Sequence, residues 1–190
     1  MTKQELRKHY LGKRMALSEA ERLHLNRALY DRFFSSVDPS FVGVLHTFLP
    51  LQRKHEPDTW LIIDRIRREF PQVRLSLPRV NDTTGILENY YFESLAQLKE
   101  NSWGITEPDG GEVTDARSID VVLVPLVIAD QQGHRIGYGK GYYDRLLSEC
   151  RPDCQKIGIS FFPPIERITT AGPHDQKLTA LVTPDEYYQF

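Results

Sequence analysis

The run Asp120-Val-Val-Leu-Val-Pro-Leu-Val127 constrains the fold of this chain more than any other feature. A half-exposed strand alternates apolar and polar residues, so an unbroken aliphatic run needs cover on both faces, as in the parallel sheets of α/β proteins. The run is too short to cross a membrane as a helix. It predicts the central strand of a sheet with helices on both sides.

The flanking segments supply the other layers. Phe41 to Leu49 is a short apolar run rich in β-formers, and Pro57, Asp58 and Thr59 open a helical pattern carrying Trp60, Ile62, Ile63, Ile66 and Phe70. Val73 to Leu77 reads as a second strand stopped by Pro78, and Ile86 to Phe92 as a third with a polar edge, which makes a βαβ unit. Upstream, Thr2 with Glu5 and Ser18 with Glu21 have the spacing of capping boxes, so the first 35 residues read as two helices. Downstream come a turn at Asp130 to Gly133, a helix from Gly141 to about Glu149, and strands at Lys156 to Ser160 and Lys177 to Val182. Glu100 to Arg117 is dense in Gly, Asp, Glu and Pro and reads as a long surface loop of the functional kind.

No repeat or linker divides residues 1–190, so one domain is expected. Lys plus Arg number 24 against 26 Asp plus Glu, and the basic residues are scattered, which argues against nucleic acid and anionic membranes as partners. The charged stretch Met1 to Arg14 has no apolar core of a signal sequence, and Cys150 and Cys154 lack neighbours to complete a zinc site. Both point to a cytoplasmic protein with free thiols.

Ligands of open α/β sheets sit beyond the carboxyl ends of the strands, where helix N-termini attract anions. The segment Arg135-Ile-Gly-Tyr-Gly-Lys-Gly-Tyr-Tyr-Asp144 falls at such a place. Gly137, Gly139 and Gly141 allow positive φ and close approach of a ligand, and Arg135 and Lys140 add cationic donors. Asp144, one turn into the following helix, suits a Mg²⁺ that bridges phosphate oxygens. The spacing matches neither a Walker loop nor G-x-G-x-x-G. The competing reading is a flexible turn whose Arg and Lys are merely solvated. Tyr138, Tyr142 and Tyr143 could wall a flat heterocycle or enter the core, and one of them is expected to be core.

Taken with Val124-Pro125, Asp130, Gly133 and Arg145, this run closely resembles the signature of the 5-formyltetrahydrofolate cyclo-ligase family, also called methenyltetrahydrofolate synthetase. The resemblance continues through Lys3-Gln-Glu-Leu-Arg7, Arg14, Phe48-Leu49, Glu56-Pro-Asp-Thr59, Pro78-Arg79, Trp103-Gly-Ile-Thr-Glu-Pro108 and His174-Asp175. It implies a Rossmann-like three-layer α/β/α domain of the ribose-phosphate isomerase and CoA-transferase type, with a mostly parallel central sheet. The implied reaction closes 5-formyltetrahydrofolate to 5,10-methenyltetrahydrofolate at the expense of ATP, releasing ADP and phosphate.

Carried onto this chain, the resemblance implies that Lys3, Arg7 and the loop Arg135, Ile136, Gly137, Tyr138, Gly139, Lys140, Gly141, Tyr142 and Tyr143 bind the co-substrate ATP. Leu49 and Glu56, with Tyr138 to Tyr142, would bind the folate; Lys140, Arg135 and Tyr142 would be catalytic. Asp144 would bind Mg²⁺. Some members carry a second metal-binding Asp near the position of Thr179, which leaves Asp175 as the substitute here. The segment Pro50 to His55 is two residues longer than in relatives.

Overall fold

The computed structural model describes residues 1–190 except Asp82, Thr170, Ala171 and Pro173. Two capped helices open the chain, α1 (Lys3–Met15) and α2 (Glu19–Ser36). In each, the Ser or Thr side chain accepts from the backbone N–H three residues on, and the Glu there accepts from the cap N–H, at 2.7 Å for Glu5 and 2.8 Å for Glu21. Strand β1 (Val44–His46), helix α3 (Trp60–Glu69) and strand β2 (Arg74–Val80) then form the expected βαβ unit, with β1 and β2 parallel. β3 (Leu87–Tyr91) returns antiparallel along β2.

After these come a small hairpin of β4 (Leu98–Glu100) and β5 (Thr106–Pro108), the aliphatic strand β6 (Val121–Pro125), and a second hairpin of β7 (Ile128–Ala129) and β8 (Arg135–Ile136). Helix α4 (Tyr142–Glu149) and strands β9 (Gln155–Ile159), β10 (Ala180–Val182) and β11 (Tyr187–Gln189) complete the chain. The main sheet runs β11-β10-β9-β6-β1-β2-β3, with β6 at its centre as expected. Its five inner strands are parallel, and both edges are antiparallel.

The unbroken apolar character of β6 follows from its two-sided burial. Val121 and Leu123 point into a core shared with Leu29 and Phe33 of α2 and Ile62, Ile63 and Ile66 of α3. Val122 and Val124 point the other way, into a core shared with Leu146 and Leu147 of α4. The three layers are therefore α2 and α3, the sheet, and α4. Helix α1 lies apart, its Leu6 packed with Ile128 and Ile136 of the β7–β8 hairpin.

Three expectations are corrected. β2 runs through Pro78 to Val80, because β1 pairs only as far as His46 opposite Ser76 and the missing N–H of Pro78 breaks no bond of that ladder. The supposed loop from Glu100 to Arg117 contains most of the β4–β5 hairpin, whose turn is held by Asn101 Oδ1 accepting from the N–H groups of Trp103 and Ile105. The strand at Lys177 to Val182 shortens to Ala180–Val182, and β11 follows it at the sheet edge. Strands this short give no readable alternation. Among the described residues no helix is long and apolar enough to cross a membrane.

Candidate functional site

The chain leaves β1 toward β2 on one side of the sheet, and leaves β6 toward β9 on the other. Ligands of such sheets bind where the strand order reverses, beyond the carboxyl ends of the two central strands. A cleft of about 760 Å³ opens there. Phe48 and Leu49 after β1, Pro125 at the end of β6, and Pro78 and Val80 at the end of β2 line it, together with the loop Arg135 to Asp144.

The loop is shaped by its turns. Asp130, fully buried, accepts through Oδ1 from the N–H groups of Gln132 and His134 and through Oδ2 from Ile168 N–H, which shapes the β7–β8 turn. Gly133 has φ +82°, and a Cβ there would meet the Leu178 carbonyl at 2.8 Å. Gly139 (φ +90°) and Gly141 (φ +70°) take the left-handed conformations expected, whereas Gly137 does not. Gly137 also has open space where a Cβ would stand, so neither conformation nor crowding within the protein calls for glycine there. Gly141 precedes the first turn of α4 without any side-chain cap, so the first N–H groups of that helix are available to an anion.

The cations divide into committed and uncommitted groups. Lys140 is exposed and, among the described residues, makes no ion pair. Arg7 crosses from α1 to donate from Nε to the Gly137 carbonyl at 2.7 Å, and its guanidinium lies beside Gly139. Lys3 pairs with Asp175 at 2.5 Å. Arg135 is buried; it donates to Asp144 Oδ1 at 2.9 Å and to the Gln176 carbonyl. These two bonds tie the loop to α4 and to the segment bearing Asp175, and Arg135 also lines the cleft.

Asp144 and Asp175 line the same cleft. Asp144 Oδ1 also accepts from Gln176 N–H at 2.9 Å, which ties the start of α4 to the segment bearing Asp175. Burial works against the charge on Asp175, yet the hydrogen bonds from Lys3 and Gly172 N–H, with the charges of Lys3 and Arg135, hold its carboxyl below the usual range. Thr179, near which a second carboxylate was expected, instead accepts from Lys156 N–H at 2.8 Å beside β9 and does not line the cleft. Among the described residues no group of three or more His, Cys, Asp or Glu could hold a metal unaided. That donor set suits Mg²⁺, which commonly takes one or two carboxylates and leaves other positions to phosphate and water.

Glu56 lies deep in the opposite wall, 7% exposed. Oε2 accepts from Leu51 N–H at 2.8 Å and Oε1 from the Tyr138 hydroxyl at 2.5 Å. Burial raises its pKa, opposed by these two bonds and by the charge of Arg14. The fold gives Arg14 a role that its motif does not show. Its buried guanidinium donates to the carbonyls of Lys54 at 2.9 Å and Leu126 at 3.1 Å and to the Tyr138 hydroxyl, so α1, the cleft wall and the glycine loop meet at one side chain. The signal was present: Lys3, Arg7, Tyr10 and Arg14 recur at the spacing of a single helix face. Tyr143 packs against the core on the α4 side of the sheet, edge-to-face with His46 at 6.0 Å, and also lines the cleft. His46 is fully buried, and burial lowers its imidazole to about 3, so it stays neutral beneath the cleft. Tyr142 and Leu49 are half-buried in the lining, and Ile136 reaches the same lining from the core.

Residues 1–184 match the family model described as the 5-formyltetrahydrofolate cyclo-ligase family. A Mycoplasma pneumoniae protein named 5-formyltetrahydrofolate cyclo-ligase is 30% identical over 168 residues, 85% of this chain and 86% of that protein. A Schizosaccharomyces pombe protein named probable 5-formyltetrahydrofolate cyclo-ligase is 36% identical over 116 residues, 53% of this chain and 57% of its own length. The solved structure of Aquifex aeolicus 5,10-methenyltetrahydrofolate synthetase superposes with a TM-score of 0.84 at 32% identity, covering 100% of this chain and 93% of the other.

Proposed function

The chain belongs to the 5-formyltetrahydrofolate cyclo-ligase family, and from that premise we propose that it closes 5-formyltetrahydrofolate to 5,10-methenyltetrahydrofolate by an ATP-driven phosphoryl transfer in the cleft at the strand reversal. The observation that carries the reading is the pairing, in one cleft, of an uncapped helix start and uncommitted Lys140 with an apolar wall of Phe48, Leu49 and Pro125. The first suits phosphates; the second suits a flat folate.

The formyl oxygen of an amide leaves poorly, so it is first made a phosphate ester. That oxygen attacks the γ-phosphorus, the bond to the β-phosphate oxygen breaks, and ADP departs. N10 then attacks the formyl carbon, loses its proton and expels phosphate as the ring closes. No covalent enzyme intermediate is needed. The protein aligns the two substrates, screens the transferring charge with Lys140 and the N–H groups of the glycine loop, and keeps water out. Leu49 and Tyr142 flank the bound substrates, and Arg7 holds the loop at Gly137. Glu56 and Tyr138 act as one buried strut behind the loop. Mg²⁺ bound by Asp144 and Asp175 would neutralise phosphate charge.

A coupled assay tests this reading. ADP and the methenyl chromophore are expected to rise in parallel, and only when ATP and 5-formyltetrahydrofolate are both present; methenyl formation at the same rate without ATP sinks it. Asp144→Asn keeps the shape of the side chain and removes a charge. It is expected to raise the Mg²⁺ needed for half-maximal rate at saturating ATP by about tenfold, as loss of one charged ligand contact does. An unchanged Mg²⁺ titration would return Asp144 to the role of partner to Arg135.

A further inference from the structure

Glu107 on β5 is a second nearly buried carboxylate in the cleft wall, 8% exposed. Its circumstances differ from those of Glu56. Both oxygens of Glu56 are taken, by Leu51 N–H and by the Tyr138 hydroxyl. Glu107 accepts only from Val80 N–H, at 3.2 Å on Oε2, and among the described residues nothing donates to Oε1. No Lys or Arg is paired with it among those residues. A carboxylate has about four lone-pair sites and is costly to bury without donors. This one therefore presents unused acceptor capacity to whatever fills the cleft.

The ligand edge it suits must be rich in N–H groups and uncharged or cationic. Phosphates and carboxylates are excluded by charge, and the cations that suit them, Lys140 and Arg7, belong to the loop wall. The walls near Glu107, with Leu87, Ile105 and the exposed indole of Trp103, are apolar and aromatic, as a flat ring requires. A 2-amino-4-oxopyrimidine ring carries two parallel donors on one edge, its lactam N3–H and its 2-amino group, which match the fork of a carboxylate. On the folate reading given above, we infer that Glu107 binds the N3–H and 2-amino edge of the pterin, with Oε1 as the principal acceptor. The pyrimidine half of the pterin then lies against the β4–β5 hairpin, and N5 and N10 face the glycine loop. Glu107 is a specificity-determining residue and not Glu56, which holds Tyr138.

Isothermal titration of the full chain tests the assignment with two ligands, 5-formyltetrahydrofolate and its analogue with methyl in place of the 2-amino group. The parent is expected to bind the analogue about 10- to 100-fold more weakly, the range for losing a hydrogen bond to a charged acceptor. Glu107→Gln keeps an acceptor for Val80 N–H and is expected to weaken the natural ligand by a similar factor, to leave the analogue within about twofold, and to leave ATP binding unchanged. Equal affinity of the parent for both ligands overturns the assignment, even if the variant does not fold. So does an equal loss for both ligands in the variant. A parent that binds neither ligand overturns the folate reading, and the role of Glu107 falls with it.

Discussion

Lys140→Ala is expected to lower kcat by about 10²- to 10³-fold while leaving the fold intact. The side chain is exposed, makes no ion pair among the described residues, and stands between two glycines with left-handed φ, so its removal costs no packing. On the proposed reaction, what is lost is a positive charge placed beforehand where the transferring phosphoryl group gathers negative charge, an effect of about 2.7–4 kcal/mol for one such donor. Arg135 makes the contrast, since its guanidinium is spent on Asp144 and the Gln176 carbonyl. Single-turnover rates and thermal unfolding of Lys140→Ala decide the matter together. Normal turnover with a shifted unfolding midpoint would move Lys140 from chemistry to structure.

Arg14→Ala is expected to be the most destabilising single change near the cleft, by about 3–5 kcal/mol, because it strips a buried guanidinium from buried acceptors. The carbonyls of Lys54 and Leu126 lose their donor, and Glu56 loses the charge of Arg14 that favours its ionised form. In a chain of this size that corresponds to a fall of about 10 °C in Tm. The deficit should depend on pH. Burial already raises Glu56 above its ordinary 4.5, and removing Arg14 raises it further. A raised folded-state pKa means that the folded protein binds a proton the unfolded chain releases. Stability from that source is full below the unfolded value and is lost as pH rises through the folded value. The deficit is therefore largest near neutral and alkaline pH and shrinks as pH falls toward 4.5. Urea unfolding of parent and variant at both ends of that window measures it. A deficit that does not change with pH would assign Arg14 to packing alone.

Much of the frame is legible in the residues themselves. The aliphatic run at β6 demanded cover on two faces, and the two capping boxes marked the starts of α1 and α2 with their own side chains. The glycine loop was legible as a tight turn because Gly139 and Gly141 take conformations that other residues resist. The hairpin β4–β5, the two strands that flank the expected turn at Asp130 to Gly133, and the strand β11 were not legible. Each has only two or three residues per strand, and what holds them is pairing with distant or equally short partners.

Side-chain roles divide along the same line. Residue type and spacing along the chain determined the α/β layers, the position of the glycine loop and the presence of Lys140 and Asp144 beside it, because backbone conformation and local charge are properties of neighbours in sequence. Only the tertiary structure could decide which charges are free and which are spent. Arg135 and Lys3 looked as available as Lys140, but they meet Asp144 and Asp175 across separations of 9 and 172 residues. Glu56 looked available and is tied to Tyr138, whereas Glu107 looked like a loop residue and faces the cleft. A carboxylate or guanidinium binds a ligand only with the donors and acceptors its own fold leaves unused, and that remainder depends on partners the chain brings together only when it folds.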